Sequence, residues 1–90
     1  MHWVWVFHGK SADFSSAVFD DKELADDWIA RSKVSGVLTK MPVNISIYDW
    51  IVERKYFSPK YPSQKSPDFI QCFSSAYLEH FHYEAGVCVH

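Results

Sequence analysis

Residues 3–8 have the sequence Trp-Val-Trp-Val-Phe-His, in which bulky aromatic side chains alternate with valines. Tryptophan, valine and phenylalanine favour a pleated, half-buried surface, so this segment predicts a β-strand. Trp3, Trp5 and Phe7 share one face of the strand, and the two valines share the other face with His8. Because both faces are apolar, we expect a central strand that is covered on both sides, or a strand whose aromatic face awaits a partner.

Turn and breaker residues divide the rest of the chain into further elements. We expect strands at residues 14–19, 37–41, 77–83 and 87–89, and helices at about 21–32, 45–57 and 67–75. The resulting order β-β-α-β-α-α-β-β places a hairpin at each end of the chain, which favours an antiparallel sheet. The sequence therefore predicts an α+β fold of about five strands, with three helices on one face, in a single domain over residues 1–90.

The first helix carries end signals and an apolar stripe. Asp20 occupies the position of an N-cap, and Glu23 three residues later completes a capping box. Gly36 is placed to end the helix in a left-handed conformation. Apolar residues at helical spacing predict the buried stripe, which consists of Leu24, Ala25, Trp28 and Ile29.

Residues 45–57 are ambiguous, because their β-branched side chains would also suit a strand. We favour a helix, since Ser46 and Asp49 resemble a capping box and apolar residues follow at helical spacing. Residues 58–67 contain three prolines and predict an extended loop on the surface. Ser66 and the proline after it then suit the start of the third helix.

The composition indicates a folded protein with an apolar core. The chain has 90 residues, of which 48% are hydrophobic and 18% aromatic, and its formal charge is -2. Such a chain is too apolar and too weakly charged to be disordered. A compact protein of 10.5 kDa exposes roughly 5,400 Å² and buries about 64% of the surface of its unfolded chain, so a core is possible without disulfides or metals.

Several classes of function do not fit this sequence. There are 9 basic residues against 11 acidic ones and no basic stripe, so nucleic acid is not expected as a partner. The 3 glycines form no phosphate-binding loop. No apolar run reaches the length of about 20 residues that spans a membrane, and no export signal is visible, so we expect a cytoplasmic protein without a membrane partner. Cys72 and Cys88 are then expected to be free thiols, Cys72 as a small buried residue.

Histidines form one candidate site. His80 and His82 would project from the same face of a strand, at a spacing that suits one metal ion. His8 could supply a third ligand if its strand pairs with theirs. Ligation also needs further donors and supporting hydrogen bonds. We therefore favour ordinary hydrogen bonding of the imidazoles to Glu79, Glu84 or the backbone, and we expect no metal or other cofactor.

Acidic residues around the first helix and aromatic residues beside the proline-rich loop form the other candidate. Such a group of carboxylates would steer a basic partner, although helix capping and a solvated helix face also explain it. Aromatic side chains held by prolines would anchor an interface, although folding back over the core is an equal alternative. The candidate partner-binding residues are Asp20, Asp21, Glu23, Asp26, Asp27, Tyr56, Phe57 and Tyr61.

Landmarks along nearly the whole chain follow one pattern. They are Trp5-Val6-Phe7-His8-Gly9, Gly36-Val37-Leu38-Thr39 with Pro42, Tyr48-Asp49-Trp50, and Phe73-Ser74-Ser75-Ala76 with Glu79-His80-Phe81-His82-Tyr83. In these the sequence resembles a family of small, stand-alone bacterial domains of uncharacterised function. The resemblance implies a bacterial, cytoplasmic, single-domain protein, of a type often found as an accessory or immunity protein beside a toxin. It implies no catalytic residue.

We therefore expect a non-enzymatic protein-binding module, most concretely an immunity-type inhibitor that blocks the active site of a basic bacterial toxin domain. The acids would steer the two proteins together, and the three loop aromatics would be the desolvated anchors. The alternative is a small metal-dependent or histidine-based enzyme built on His8, His80 and His82. A third alternative is a structural domain that dimerises through an exposed strand edge, so both a monomer and a homodimer stay open.

Overall fold

Five strands and three α-helices make up the structure, a computed structural model that describes residues 1–90. Their bounds are β1 Trp3–Gly9, β2 Ser15–Phe19, α1 Lys22–Ser32, β3 Gly36–Pro42, α2 Ile47–Glu53, α3 Pro67–Gln71, β4 His80–Glu84 and β5 Val87–Cys88. A short 3-10 helix, Pro62–Lys65, precedes α3. The predicted α+β class and the order β-β-α-β-α-α-β-β are confirmed.

The strands form one antiparallel sheet in the order β2-β1-β3-β4-β5. β1 is an interior strand, as its apolar sequence predicts, and it pairs with β3 over its whole length. In this register Phe7 lies opposite Leu38, and His8 lies opposite Val37. β3 pairs in turn with β4, so β3 separates His8 from the histidines of β4.

The aromatic face of β1 is buried beneath α1. Phe7, Leu38 and Ile29 are fully buried in a first hydrophobic cluster, whose other buried members are Trp5, Ala25 and Tyr83. Trp28 of α1 packs edge-on against Phe7, with ring centroids 5.4 Å apart. Ala25 and Ile29 are four residues apart and therefore share one side of the helix, which fixes the side of α1 that contacts the sheet.

α2 packs at the other end of the same sheet face. Trp50 and Ile51 are buried in a second hydrophobic cluster, and Trp3 packs edge-on against Trp50 with centroids 5.5 Å apart. Tyr48 is in contact with three phenylalanine rings from the chain that follows: Phe57, Phe69 and Phe73. The Tyr48 hydroxyl donates to the carbonyl of Gln64 at 2.8 Å, which holds the 3-10 helix against α2.

The ends of α1 differ from the predicted ones. Asp21, not Asp20, is the N-cap, and its Oδ1 accepts the backbone N–H of Glu23 at 2.8 Å. Two adjacent aspartates offer the same capping group, so the sequence alone does not select between them. The helix ends at Lys33, which adopts a left-handed φ of 56°. Leu24, predicted to be part of the buried stripe, is more than half exposed.

Gly36 belongs to β3 and does not cap α1. A Cβ atom at this position would lie 2.8 Å from Gly9 Cα and 2.8 Å from Phe7 Cζ, and it would also overlap the carbonyl oxygen of His8. The glycine therefore permits the close approach of β1 and β3 at the point where the Phe7 ring lies between them and the helix layer.

Two of the predicted helix starts are confirmed in the second half of the chain. The hydroxyls of Ser46 and Ser66 accept backbone N–H groups in the first turns of α2 and α3. The loop predicted over residues 58–67 was expected to be extended, but it contains the 3-10 helix. The hydroxyl of Tyr48 and the side chain of Gln64 provide the local hydrogen bonds for that turn of helix.

The chain between α3 and β4 was predicted less well. α3 ends at Gln71 rather than near Ser75, and β4 begins at His80 rather than Tyr77. A turn closed by a hydrogen bond from the Leu78 N–H to the Ser75 carbonyl occupies the space between them. Both cysteines are free and exposed, so the prediction that Cys72 is buried was wrong.

The opposite face of the sheet carries no helix. Val4, Val6 and His8 project from β1 on this face, and none of them belongs to either hydrophobic cluster. The expectation that β1 is covered on both sides was therefore wrong. The aromatic face is the covered one, and the valine face is open.

Candidate binding surfaces

Acidic residues around the start of α1 form the first candidate surface. Four of them are exposed: Asp20, Asp21, Glu23 and Asp27. The protein contains one ion pair, which joins Lys22 Nζ to Asp26 Oδ2 at 2.8 Å on the same helix. The four exposed carboxylates therefore have no cationic partner, and they give this part of the molecule a negative potential.

Asp26 differs from these four residues because it is engaged within the fold. Its carboxylate accepts hydrogen bonds from Lys22 Nζ at 2.8 Å and from the Tyr83 hydroxyl at 2.6 Å. Burial acts to raise the pKa of Asp26, but the hydrogen bonds from Lys22 and Tyr83 and the charge of Lys22 outweigh it, so the pKa is lowered. Burial, and then the bond to the Asp26 carboxylate and its charge, raise the pKa of Tyr83. Asp26 thus ties α1 to β4.

The three predicted aromatic anchors have different surroundings. Tyr56 and Tyr61 are exposed. Phe57 packs in the second hydrophobic cluster, where its ring stacks on Phe69 with centroids 5.9 Å apart, so it supports the core. Tyr56 stacks face to face on exposed Tyr77, with centroids 4.3 Å apart and an angle of 9° between the rings. The sequence did not indicate Tyr77, because no local pattern relates it to a tyrosine so distant in the chain.

The acids and the tyrosines belong to different parts of the molecule. α1 packs on the first hydrophobic cluster. Tyr56 contacts Trp50 of the second cluster, with centroids 6.1 Å apart, and it carries the stacked Tyr77. The two predicted sets of partner-binding residues are therefore presented by separate units of packing.

β3 separates the histidines that the sequence grouped together. His8 and His82 both lie opposite Val37, on the two sides of β3, so their strands do not pair. Two strand spacings, about 9.6 Å, lie between their backbones. His8 Nε2 and His80 Nδ1 each donate to a backbone carbonyl, at 2.6 and 2.8 Å, which confirms the backbone hydrogen bonding predicted for them. No group of three or more histidine, cysteine or acidic residues is arranged to hold a metal ion.

A pocket of about 480 Å³ lies between the ends of β1, β3 and β4. Its polar lining residues are His8, Lys10, His82, Glu84 and His90. The His82 ring packs edge-on against His80 and His90, with centroids 5.3 and 5.9 Å away. His80 lines a separate and smaller pocket beside residues 74–76. The structure thus brings two of the three predicted histidines to one pocket and adds His90, for which the sequence gave no signal.

The open sheet face is a surface that the sequence only partly indicated. Its apolar residues come from four strands: Val4, Val6, Val18, Val37, Met41 and Val87. The signal was the apolar character of both faces of β1. The sequence predicted that the helices pack on one face of the sheet, but it did not show that this is the aromatic face of β1.

The comparisons with known proteins identify a family whose function has not been determined. None of the three α-helices, of which α1 is the longest with 11 residues, has the length and hydropathy to cross a membrane. No curated protein and no solved structure matches the sequence significantly. The family model described as Domain of unknown function (DUF7710) matches residues 4–89. The match covers nearly the whole chain, which therefore belongs to this family of domains of unknown function.

Proposed function

We propose that this protein is a small protein-binding module that acts without catalysis. Its most specific form is an immunity-type inhibitor that neutralises a bacterial toxin by blocking the toxin's active site. One observation carries the proposal: four exposed carboxylates surround the start of α1, and none of them is paired with a cation. An uncompensated group of charges of this kind attracts a basic partner over a distance comparable with the Debye length, about 8 Å at physiological salt.

In this mechanism the acidic residues attract the partner, and the exposed tyrosines hold it once it has bound. The carboxylates raise the rate at which a basic partner arrives in the correct orientation, which is the main effect of complementary charge at an interface. Exposed tyrosines supply apolar area with few rotatable bonds, as residues at interface hot spots do, and Tyr56, Tyr61 and Tyr77 have that exposure. The stack of Tyr56 on Tyr77 fixes two of these rings before binding, which lowers the entropy lost on association.

The structure shows which acidic residues can be replaced in a test of this proposal without disturbing the fold. Asp26 is tied to Lys22 and Tyr83, so its replacement would alter the fold as well as the charge. Asp20 and Asp27 are exposed and accept no hydrogen bond from a side chain. Replacing both by lysine changes the surface charge and leaves the helix N-cap at Asp21 in place.

We expect the Asp20→Lys, Asp27→Lys variant to bind its partner at least about tenfold more weakly at low salt, because the steering field changes sign. The partner to use is the purified product of the adjacent gene, since an immunity-type inhibitor is expected beside its toxin. The matched control is Glu53→Lys with Glu79→Lys, which makes the same change in net charge at exposed positions away from α1. Equal weakening in the two variants, or no binding by the wild-type protein, would contradict the proposal.

A histidine-based enzyme is the second candidate, and the pocket that contains His8, His82 and His90 is the observation in its favour. If these imidazoles formed a metal-dependent site, zinc would raise the melting temperature and a chelator would lower it. For a binding module we expect both additions to leave the melting temperature within about 1 °C, as a stabilisation of under about 0.2 kcal/mol would give. A differential scanning fluorimetry titration measures this, with the His82→Ala variant as the control for non-specific zinc binding.

A further inference from the structure

The open sheet face is almost free of charge. Its strand residues are valines, Ser15, Thr39, Met41 and histidines, and Glu84 at one end is the only one of them with a full charge. Lys10, in the turn after β1, lies in the pocket at the same end. Antiparallel sheets that face water on one side normally alternate apolar and polar residues, with the polar residues outside. A contiguous apolar surface outside the core instead marks a docking site.

The face is also accessible in its β2 and β1 part. Val18 of the edge strand β2 is 64% exposed, and Val4 and Val6 are half-buried and belong to neither helix-covered cluster. Towards β4, residues 74–76 and the C-terminal Val89 and His90 line pockets beside it. The molecule measures only 20 Å along its shortest axis, which corresponds to one layer of sheet and one layer of helix. A two-layer protein of this type leaves one sheet face to be covered by something else.

We propose that a second copy of this chain covers the open face, with the two sheets packed face to face in a symmetric dimer. The accessible surface of the chain is 6296 Å², about 900 Å² more than the roughly 5,400 Å² of a compact protein of its mass. This larger surface goes with the elongated shape of 45 × 28 × 20 Å, and the broad side of the molecule is large enough to supply the roughly 800 Å² that a stable interface takes from each partner. This proposal concerns a surface separate from the acidic start of α1, and it goes beyond the binding function proposed above.

The chemistry of the face favours a copy of itself over a different protein. A heterologous partner is usually recognised through complementary charge at the rim, and this face offers a single carboxylate. A nearly neutral, apolar face of β-branched side chains is complementary to itself, because two such faces about 10 Å apart interdigitate as in a β-sandwich. A two-fold axis through the face closes the assembly at two copies and leaves both α1 helices exposed on the outside.

The test compares charged substitutions on the two sides of the molecule. Val18→Glu and Met41→Glu each place a carboxylate on the open face. Leu24→Glu on α1 is the matched control, since Leu24 is a branched aliphatic residue with 56% exposure, close to the 64% of Val18. We expect sedimentation velocity to show a wild-type dimer at about 100 μM protein, and both face variants to raise the dissociation constant by at least about 100-fold. The control is expected to change it by less than about threefold.

Each other outcome contradicts the proposal. A wild-type monomer at about 100 μM would show that the face is left open or binds another protein. If Val18→Glu splits the dimer and Met41→Glu does not, the copies pair through the edge of β2, because Met41 lies in the interior strand β3. Near-ultraviolet circular dichroism and the melting temperature of each variant show whether it is folded. A variant that unfolds is replaced by Val6→Ser, which removes apolar area from the same face without adding a charge.

Discussion

Replacing Phe7 by alanine should destabilise the protein by about 3–5 kcal/mol. Phe7 is 1% exposed and is the largest of the fully buried side chains. It packs against Trp28 from α1, and the position opposite it on β3 is Leu38, so its loss opens a cavity between the sheet and the helix. A domain of this size has a total stability of about 5–13 kcal/mol, so the change removes between about a quarter and all of it.

Phe14→Ala provides the matched control for this prediction. Phe14 is 83% exposed and belongs to neither hydrophobic cluster, and the same chemical change there should alter stability by less than about 0.5 kcal/mol. Urea unfolding followed by tryptophan fluorescence measures both variants. If Phe7→Ala cost no more than Phe14→Ala, the packing described for α1 on the aromatic face would be incorrect.

The second large effect is expected at the hydrogen bond from Tyr83 to Asp26. Tyr83→Phe removes the hydroxyl that donates to the carboxylate at 2.6 Å, and we expect a loss of about 1–2 kcal/mol. This expected loss is small for a hydrogen bond to a charged group, because the Asp26 side chain is partly exposed and water screens the interaction. Tyr77→Phe, at an exposed tyrosine whose hydroxyl makes no hydrogen bond in the fold, should cost less than about 0.5 kcal/mol.

The same bond sets how stability should depend on pH. The pKa of Tyr83 is raised in the folded state, so its contribution is fully present below its ordinary pKa of about 10 and is lost as the pH rises above that value. The pKa of Asp26 is lowered, so its contribution is present above its ordinary pKa of about 4 and is lost as the pH falls below that value. We expect the wild-type protein to melt at a higher temperature than Tyr83→Phe near neutral pH. Thermal melts from acid to alkaline pH should show this difference in melting temperature decreasing at both extremes. A difference in melting temperature that stays constant with pH would show that the hydrogen bond from Tyr83 to Asp26 does not form.

The order of elements could be predicted because local signals at most boundaries agreed with the packing. The alternating aromatics of β1 and the serines that cap α2 and α3 each determine structure within a few residues of themselves. The predictions were wrong where two neighbouring residues could play the same role, or where the outcome depends on residues far away in the sequence. Asp20 and Asp21 are equally good caps, and the exposure of Leu24 depends on where α1 crosses the sheet.

The candidate surfaces could be predicted only as lists of residue types. The acids near α1 are visible in the sequence, but the bond that engages Asp26 joins residues 57 positions apart. The separation of His8 from His82 follows from the insertion of β3 between β1 and β4, which no local pattern encodes. The stack of Tyr56 on Tyr77 and the open valine face are likewise products of tertiary packing.

The most direct measurement is the association rate of the wild-type protein with the purified product of the adjacent gene, followed by stopped-flow fluorescence from about 50 to 500 mM salt. If the exposed carboxylates around α1 attract a basic partner, the rate should fall at least about tenfold over this range, and the Asp20→Lys, Asp27→Lys variant should have lost most of that dependence. A rate that is independent of salt, or one whose salt dependence is the same in the variant, would contradict a function based on this acidic surface.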